Sequence, residues 1–230
     1  MRLRLLWVGG WLALLSAISS AGPADAGRWF GGVESGYLRH RFEVTYNYVN
    51  GGLPDKYVNR GSGGECALTM GYAVLTHPNL ALDLIGRFAV NNAEWVLDTV
   101  DEFEGSDRSG RSRLTYKIPF SGDLLIRPRL LLPSKFSVFG EAGVRCGWLD
   151  FQKESETSTH YKISKWAPGF IAGGGLQYDV SPELAFQAVY RYAIMDERKT
   201  TSAFPDGLPW ERVAMESRTQ SLSIGFAGRF

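Results

Sequence analysis

The segment Leu222-Ser-Ile-Gly-Phe-Ala-Gly-Arg-Phe230 alternates without a slip. Leu222, Ile224, Phe226 and Phe230 fall on one face; Ser221, Ser223, Gly225, Ala227 and Arg229 fall on the other. A repeat of two is the repeat of a β-strand whose two faces meet different surroundings. One face here is large and apolar, and the other is small and polar.

The same pattern runs backward through the chain. Thr76-His-Pro-Asn79, Leu132-Pro-Ser-Lys135 and Val180-Ser-Pro-Glu183 are short turns, because proline presets φ and Asn or Ser caps the corner. Between them lie four longer polar stretches, 41–63, 94–112, 152–165 and 196–216. Four long and three short connections predict eight strands, at about 28–40, 64–75, 80–92, 113–129, 136–149, 166–179, 183–195 and the terminal segment. Tight turns at one end and long loops at the other are the asymmetry of a transmembrane barrel. The expected fold is all-β: an eight-stranded antiparallel up-and-down transmembrane β-barrel.

The N-terminus fits export. Arg2 and Arg4 precede an apolar run from Leu5 to Ile18, and Ala24-Asp25-Ala26 places small residues at a cleavage site. The run falls short of the roughly 20 residues a spanning helix needs. Residues 1–26 therefore read as a signal peptide and 27–230 as the barrel domain. Removing Arg2, Arg4 and Asp25 from 25 basic and 24 acidic residues leaves 23 of each. Such a neutral chain lacks the basic stripe that nucleic acid requires. With no second helix-length apolar run, only a closed barrel pairs all its backbone groups in lipid. Cys66 and Cys146 face outward on non-adjacent strands and are expected to stay unpaired, since a disulfide needs Cα atoms within about 7 Å.

Phasing the strands sorts the side chains. Leu68, Met70, Tyr72, Leu84, Phe88, Leu124, Ile126, Val144 and Phe170 point outward, as do Leu114, Tyr116, Ile118 and Phe120 on the fourth strand. Glu34, Asp83, Arg87, Lys117, Asp123, Glu141, Arg145, Gln187 and Arg191 point inward. A soluble lipocalin-like barrel would reverse these faces, but its interior is too narrow for such bulky rings. Charges of both signs in a closed space must pair, so the inward set reads as an ion-pair plug. Trp29, Trp95, Trp148, Trp166, Tyr190 and Tyr192 lie near strand ends and are expected to anchor the membrane interface. Phe204 and Trp210, in the fourth long stretch, are candidate contact residues.

Catalysis would need a base beside a nucleophile. The three histidines do not supply one: His77 sits in a turn, His40 at the outer end of the first strand, and His160 in a polar loop near Ser158. No residue spacing matches a metal site, and no cofactor is expected.

With strand count, loop asymmetry and the terminal aromatic Phe230 in place, the chain resembles the small outer-membrane barrels: the OmpA membrane domain, the OmpX and attachment-invasion type, and the opacity-type surface antigens. The resemblance implies a bacterial outer-membrane location among lipid and lipopolysaccharide. It also implies insertion by the barrel-assembly machinery, which would read the last strand ending at Phe230. The expected role is non-enzymatic: surface interaction or adhesion through four external loops, with host proteins as candidate ligands, or envelope integrity. A lipid-modifying enzyme of the outer leaflet and a narrow porin are the rivals.

Overall fold

The computed structural model describes residues 27–48, 55–77, 79–102, 109–155, 161–195, 200–203 and 209–230. Eleven strands form in chain order: β1 (Trp29–Tyr48), β2 (Asp55–His77), β3 (Leu80–Asn91), β4 (Glu94–Glu102), β5 (Ser109–Lys117), β6 (Phe120–Leu131), β7 (Phe136–Ser155), β8 (Tyr161–Asp179), β9 (Leu184–Met195), β10 (Thr200–Ala203) and β11 (Pro209–Arg229). Every pairing is antiparallel. The ring runs β7–β6–β3–β2–β1–β11–β9–β8, and β8 returns to β7 from Phe136↔Tyr178 up to Lys153↔Tyr161. Eight strands thus close on themselves, leaving the membrane-level backbone with no free edge. Strands β4 and β5 continue β3 and β6 past short interruptions, and among the described residues β10 pairs only with β11.

The short turns follow their chemistry. At one of them the Ser181 Oγ accepts from the backbone N–H groups of Glu183 and Leu184, at 3.3 and 3.1 Å. The polar stretches at the other end differ from the expectation of long loops. The β1–β2 ladder climbs to Tyr46↔Asp55, β4–β5 to Glu102↔Ser109, and β1–β11 to Tyr48↔Glu211. Much of each polar stretch is therefore strand, because pairing satisfies backbone groups that a loop would have to leave to water. β1 has 20 residues. At about 3.3 Å per residue and a tilt near 40° it spans roughly 50 Å, twice the roughly 25 Å apolar band of such barrels. About half of the barrel stands above the membrane.

Within the band the apolar face points outward. Leu68, Met70, Leu84, Phe88, Leu124, Ile126, Val144, Phe170, Leu176, Tyr190, Leu222, Ile224 and Phe226 are all exposed on the closed ring. Above the band the rule inverts, and the fourth strand is where the sequence reading goes wrong. Leu114, Tyr116 and Ile118 are buried inside the barrel rather than facing lipid. The cause is local. Lys117 pairs with Asp150 and Ser121 with Gly147, so Ile118, Pro119 and Phe120 stand against only Trp148 and Leu149. One extra residue, at a proline that has no N–H to donate, flips the alternation.

Trp95 is corrected as well, without any change of phase: it keeps the inward parity of Asp83, Arg87 and Ala93. It is 2% exposed inside the upper barrel, with its ring 6.2 Å from Phe42, instead of lying at the membrane interface. Phe42, Val44, Leu149, Phe151, Met195 and Met215 complete this upper core. Trp148 and Trp166 remain outside and pack edge to face at 5.4 Å, with Phe120 between them and Phe88. Cys66 and Cys146 are free thiols on the outer face.

Single-tryptophan variants in bilayers of brominated lipid check this placement. Emission from Trp166 is expected to be strongly quenched and that from Trp95 left nearly untouched. Equal quenching of the two would refute the inverted upper core.

Candidate functional site

Register alone brings the lumen charges together. Arg87, Asp123 and Arg145 sit directly opposite one another across β3, β6 and β7. Opposite charges at facing positions attract at short range, and here the geometry is close. Asp123 accepts from Arg145 Nε and Nη2 at 2.7 and 2.8 Å and from Arg87 Nη1 at 2.9 Å. Arg87 also donates Nε to Glu34 at 3.2 Å and Nη2 to Glu65.

A second group forms across the bore. Arg191 donates to both Glu34 oxygens at 2.5 and 2.9 Å, to Ser223 Oγ at 3.1 Å, and to Glu141. Arg127 donates Nη2 to Glu141 at 2.9 Å and Nη1 to Gln187 at 3.0 Å, and its guanidinium lies over the Phe139 ring. Gln187 donates in turn to Glu34 at 3.0 Å. Two glycines make the reach possible. Gly173 lies between Glu141 and Arg191 in one cross-strand row, and Gly225 lies between Glu34 and Gln187. A Cβ on Gly173 would stand 2.5 Å from the Tyr190 carbonyl and 3.0 Å from Arg191 Cγ. Any side chain there would separate the partners.

The result is one connected, electrically neutral network: Arg87, Arg127, Arg145 and Arg191 against Glu34, Glu65, Asp123 and Glu141. All eight are buried. A smaller pair, Arg129 with Asp83, lies toward the short-turn mouth, with Nη2 to Oδ1 at 3.1 Å. Of the residues expected in the lumen, Glu34, Asp83, Arg87, Asp123, Glu141, Arg145, Gln187 and Arg191 are in it. Lys117 is not: its ammonium lies on the outer surface, 2.9 Å from Glu94, because the extra residue at Pro119 turns it outward. Glu65 and Arg127 belong to the network but were absent from the expected plug. Both have the inward parity of their strands, so the alternation carried the signal.

Other expected positions sort as follows. Trp29, Trp148, Trp166, Tyr190 and Tyr192 lie on the outer face, and Phe230 is exposed at the short-turn end with its N–H bonded to the Trp29 carbonyl. His40 points inward; its Nδ1 is 2.7 Å from Thr219 Oγ1, and its ring stacks on Phe42. Residues 1–26, His160 and Phe204 lie outside the described residues, as does the side chain of Trp210. Among the described residues no cluster of His, Cys, Asp or Glu is arranged to hold a metal ion.

Sequence and fold comparisons agree with this architecture. A family model described as OmpA-like transmembrane domain matches residues 69–230. No match was found among curated proteins. Among solved structures, the outer membrane protein OprG of Pseudomonas aeruginosa is 13% identical, with 90% of this chain and 98% of that one covered and a TM-score of 0.51. The outer membrane protease OmpT of Escherichia coli is 10% identical, with 93% and 100% covered and a TM-score of 0.51. Ail, the attachment invasion locus protein of Yersinia pestis, is 19% identical, with 88% and 99% covered and a TM-score of 0.38. At these identities the likeness to OprG and OmpT speaks for the fold alone.

Arg191→Ala would leave two carboxylates buried without their shared cation. Urea unfolding of the refolded barrel is expected to show a loss of about 3–5 kcal/mol, whereas Lys117→Ala should cost no more than about 0.5 kcal/mol. Indistinguishable midpoints for the two variants would show that the network holds nothing together.

Proposed function

The chain belongs to the family of OmpA-like transmembrane domains and is an integral barrel of the bacterial outer membrane; from that premise we propose that it works by surface contact rather than by transport or catalysis. The lumen charges act as a plug, and the projecting half of the barrel carries the contact surface. One observation supports both halves of this reading. The bore is filled twice over, by the paired charges within the membrane band and by the aromatic and aliphatic core of Phe42, Trp95, Tyr116 and Phe151 above it. A bore so filled carries no water column, and eight-stranded barrels are packed by their side chains.

What remains available for function is the outside. Strands that outrun the bilayer by about half their length hold their tips far from the headgroups, where adhesion or host-factor binding takes place. Binding and catalytic specificity reside in such tips because a rigid scaffold positions them. Phe204 and Trp210 are the contact candidates there, since aromatic rings concentrate binding energy. An envelope-bracing role draws on the same rigid cylinder. In this reading residues 1–26 are removed on export, and the strand ending at Phe230 is the element engaged during assembly.

The enzyme reading finds less support. His40 turns its ring into the barrel, away from any lipid at the rim, and is held by Thr219. The protease among the similar folds contributes no more than its barrel.

Two measurements test the proposal. In planar bilayers the refolded protein should give no steady single-channel current; a stable pore would favour the narrow-porin alternative. Proteoliposomes should bind immobilised matrix proteins or serum factors, and replacing residues 196–208 by a short Gly/Ser linker should reduce that binding. Binding that is absent, or that survives the replacement unchanged, would overturn the contact role of that tip.

A further inference from the structure

On most of the upper wall, charges of opposite sign face each other across neighbouring strands. Glu94 stands opposite Lys117, Asp98 opposite Arg113, and Arg113 opposite Glu154. On the wall built from β11, β1 and β2 the register does the reverse. Arg41 stands directly opposite Arg218 on one side and directly opposite Arg60 on the other. All three side chains point outward and are exposed. Like charges at facing positions destabilise a sheet unless something neutralises them.

The nearby carboxylates do not suffice. Glu43 is taken by Lys56 at 2.5 Å, and Glu216 by Arg218 at 2.6 Å. Arg39, one outward position below Arg41, is flanked by Gln220 and Ser62. Among the described residues, Arg39, Arg41 and Arg60 therefore meet no carboxylate. Three guanidinium groups in excess lie on one patch of an otherwise balanced wall.

Height identifies what could meet them. Trp29 marks the lower membrane interface on β1, and Arg39 lies ten residues up the same strand. At about 3.3 Å per residue and a tilt near 40°, that is roughly 25 Å of vertical rise, the thickness of the apolar band. Directly beneath the arginines come Tyr37 and Leu222, facing each other and among the more exposed apolar side chains, followed by Ile224 and Phe226. An anion bound at this height has an apolar ledge immediately below it.

We propose that Arg39, Arg41 and Arg60, with Arg218 beside them, form a docking site for the phosphates of a phosphorylated glycolipid of the outer leaflet, whose acyl chains lie along Tyr37, Leu222 and Ile224. Guanidinium suits this ligand. Its fork donates paired N–H groups to phosphate oxygens, keeps its charge at any physiological pH and is weakly hydrated. The strand register sets Arg60, Arg41 and Arg218 on adjacent strands roughly 5 Å apart, so one phosphate can be gripped from two strands, and Arg39, one outward position below Arg41 on the same strand, can meet a second. A soluble anion would gain the charges but nothing from the ledge. This site is independent of whatever the barrel tips contact, and its failure would leave that role intact.

The refolded barrel in phosphatidylcholine nanodiscs provides the test. Bisphosphorylated lipid A should be retained at least about tenfold more tightly than its dephosphorylated form, as read by native mass spectrometry of the released complexes. The triple variant Arg39→Gln, Arg41→Gln, Arg60→Gln should lose that preference, whereas Arg113→Gln on the balanced wall should keep it. Heat-modifiable migration on gels confirms that each variant is folded. Should the unmodified protein show no preference for the phosphorylated lipid, the proposal fails without recourse to any variant. Equal retention by the triple variant would also overturn it, as would inorganic pyrophosphate displacing the lipid at comparable concentration.

Discussion

Backbone hydrogen bonding in lipid is the constraint from which the rest follows. A hydrocarbon layer offers no partner to an unpaired N–H or C=O, so a strand can enter only if both its edges are taken. Here the β7–β8 and β1–β11 ladders complete the ring. Closure with eight strands then fixes the bore. It is wide enough for side chains and too narrow for much water, so whatever points inward must be small, apolar or paired. The glycines of β8 and β11 and the arginine–carboxylate network both answer to that narrowness. Gly173 and Gly225 vacate positions that Arg191 and Gln187 reach across.

The second consequence concerns the axis. Within the membrane the outside is hydrocarbon and the inside holds charge; above it the outside is water and the inside is Phe42, Trp95, Tyr116 and Phe151. One continuous set of strands is thus an inside-out protein below and an ordinary soluble barrel above. The change occurs at about the level of Tyr37 and Arg39 on β1, and the same boundary sets the headgroup height used above for the arginine patch. Burial of apolar surface drives the upper half in the usual way. In the lower half lipid rewards apolar side chains outward and leaves the polar ones to satisfy one another.

That inversion also explains what could be read from the sequence. Strand number, closure, the three tight turns and most of the lumen set were legible, because period-two alternation with a constant sense holds throughout the membrane band. Leu114, Tyr116 and Ile118 were misassigned together with Lys117, because one extra residue at Pro119 shifts the parity of their strand; a proline inside an alternating run signals that a ladder is interrupted without stating which way the phase resumes. Trp95 was misplaced for a different reason: an apolar ring was equated with an outward one beyond the height at which that equation holds. The upward extension of the strands was invisible for a third reason. Polar side chains are equally at home on a loop and on a strand bathed in water, and only cross-strand pairing separates the two.

The ion network raises the question of why charges are buried at all, since well-packed apolar residues often serve stability as well or better. For a membrane barrel the answer lies in the register. A one-residue slip exchanges the inner and outer faces of a strand. If both faces were apolar, lipid would accept either, and nothing would choose between them. With Arg87, Asp123 and Arg145 on three consecutive strands, a slip of β6 alone would put Asp123 into hydrocarbon, take from Arg145 the carboxylate it pairs with and leave Arg87 short of one of its three. The longer ties act between walls: Arg191 on β9 reaches Glu34 on β1 over β11 and Glu141 on β7 over β8, while Arg87 on β3 reaches Glu34 over β2. Each tie skips a strand, so no single ladder can shift while its neighbours hold. Buried charge serves here to specify one closure among many, and the filling of the bore is a by-product of that specification.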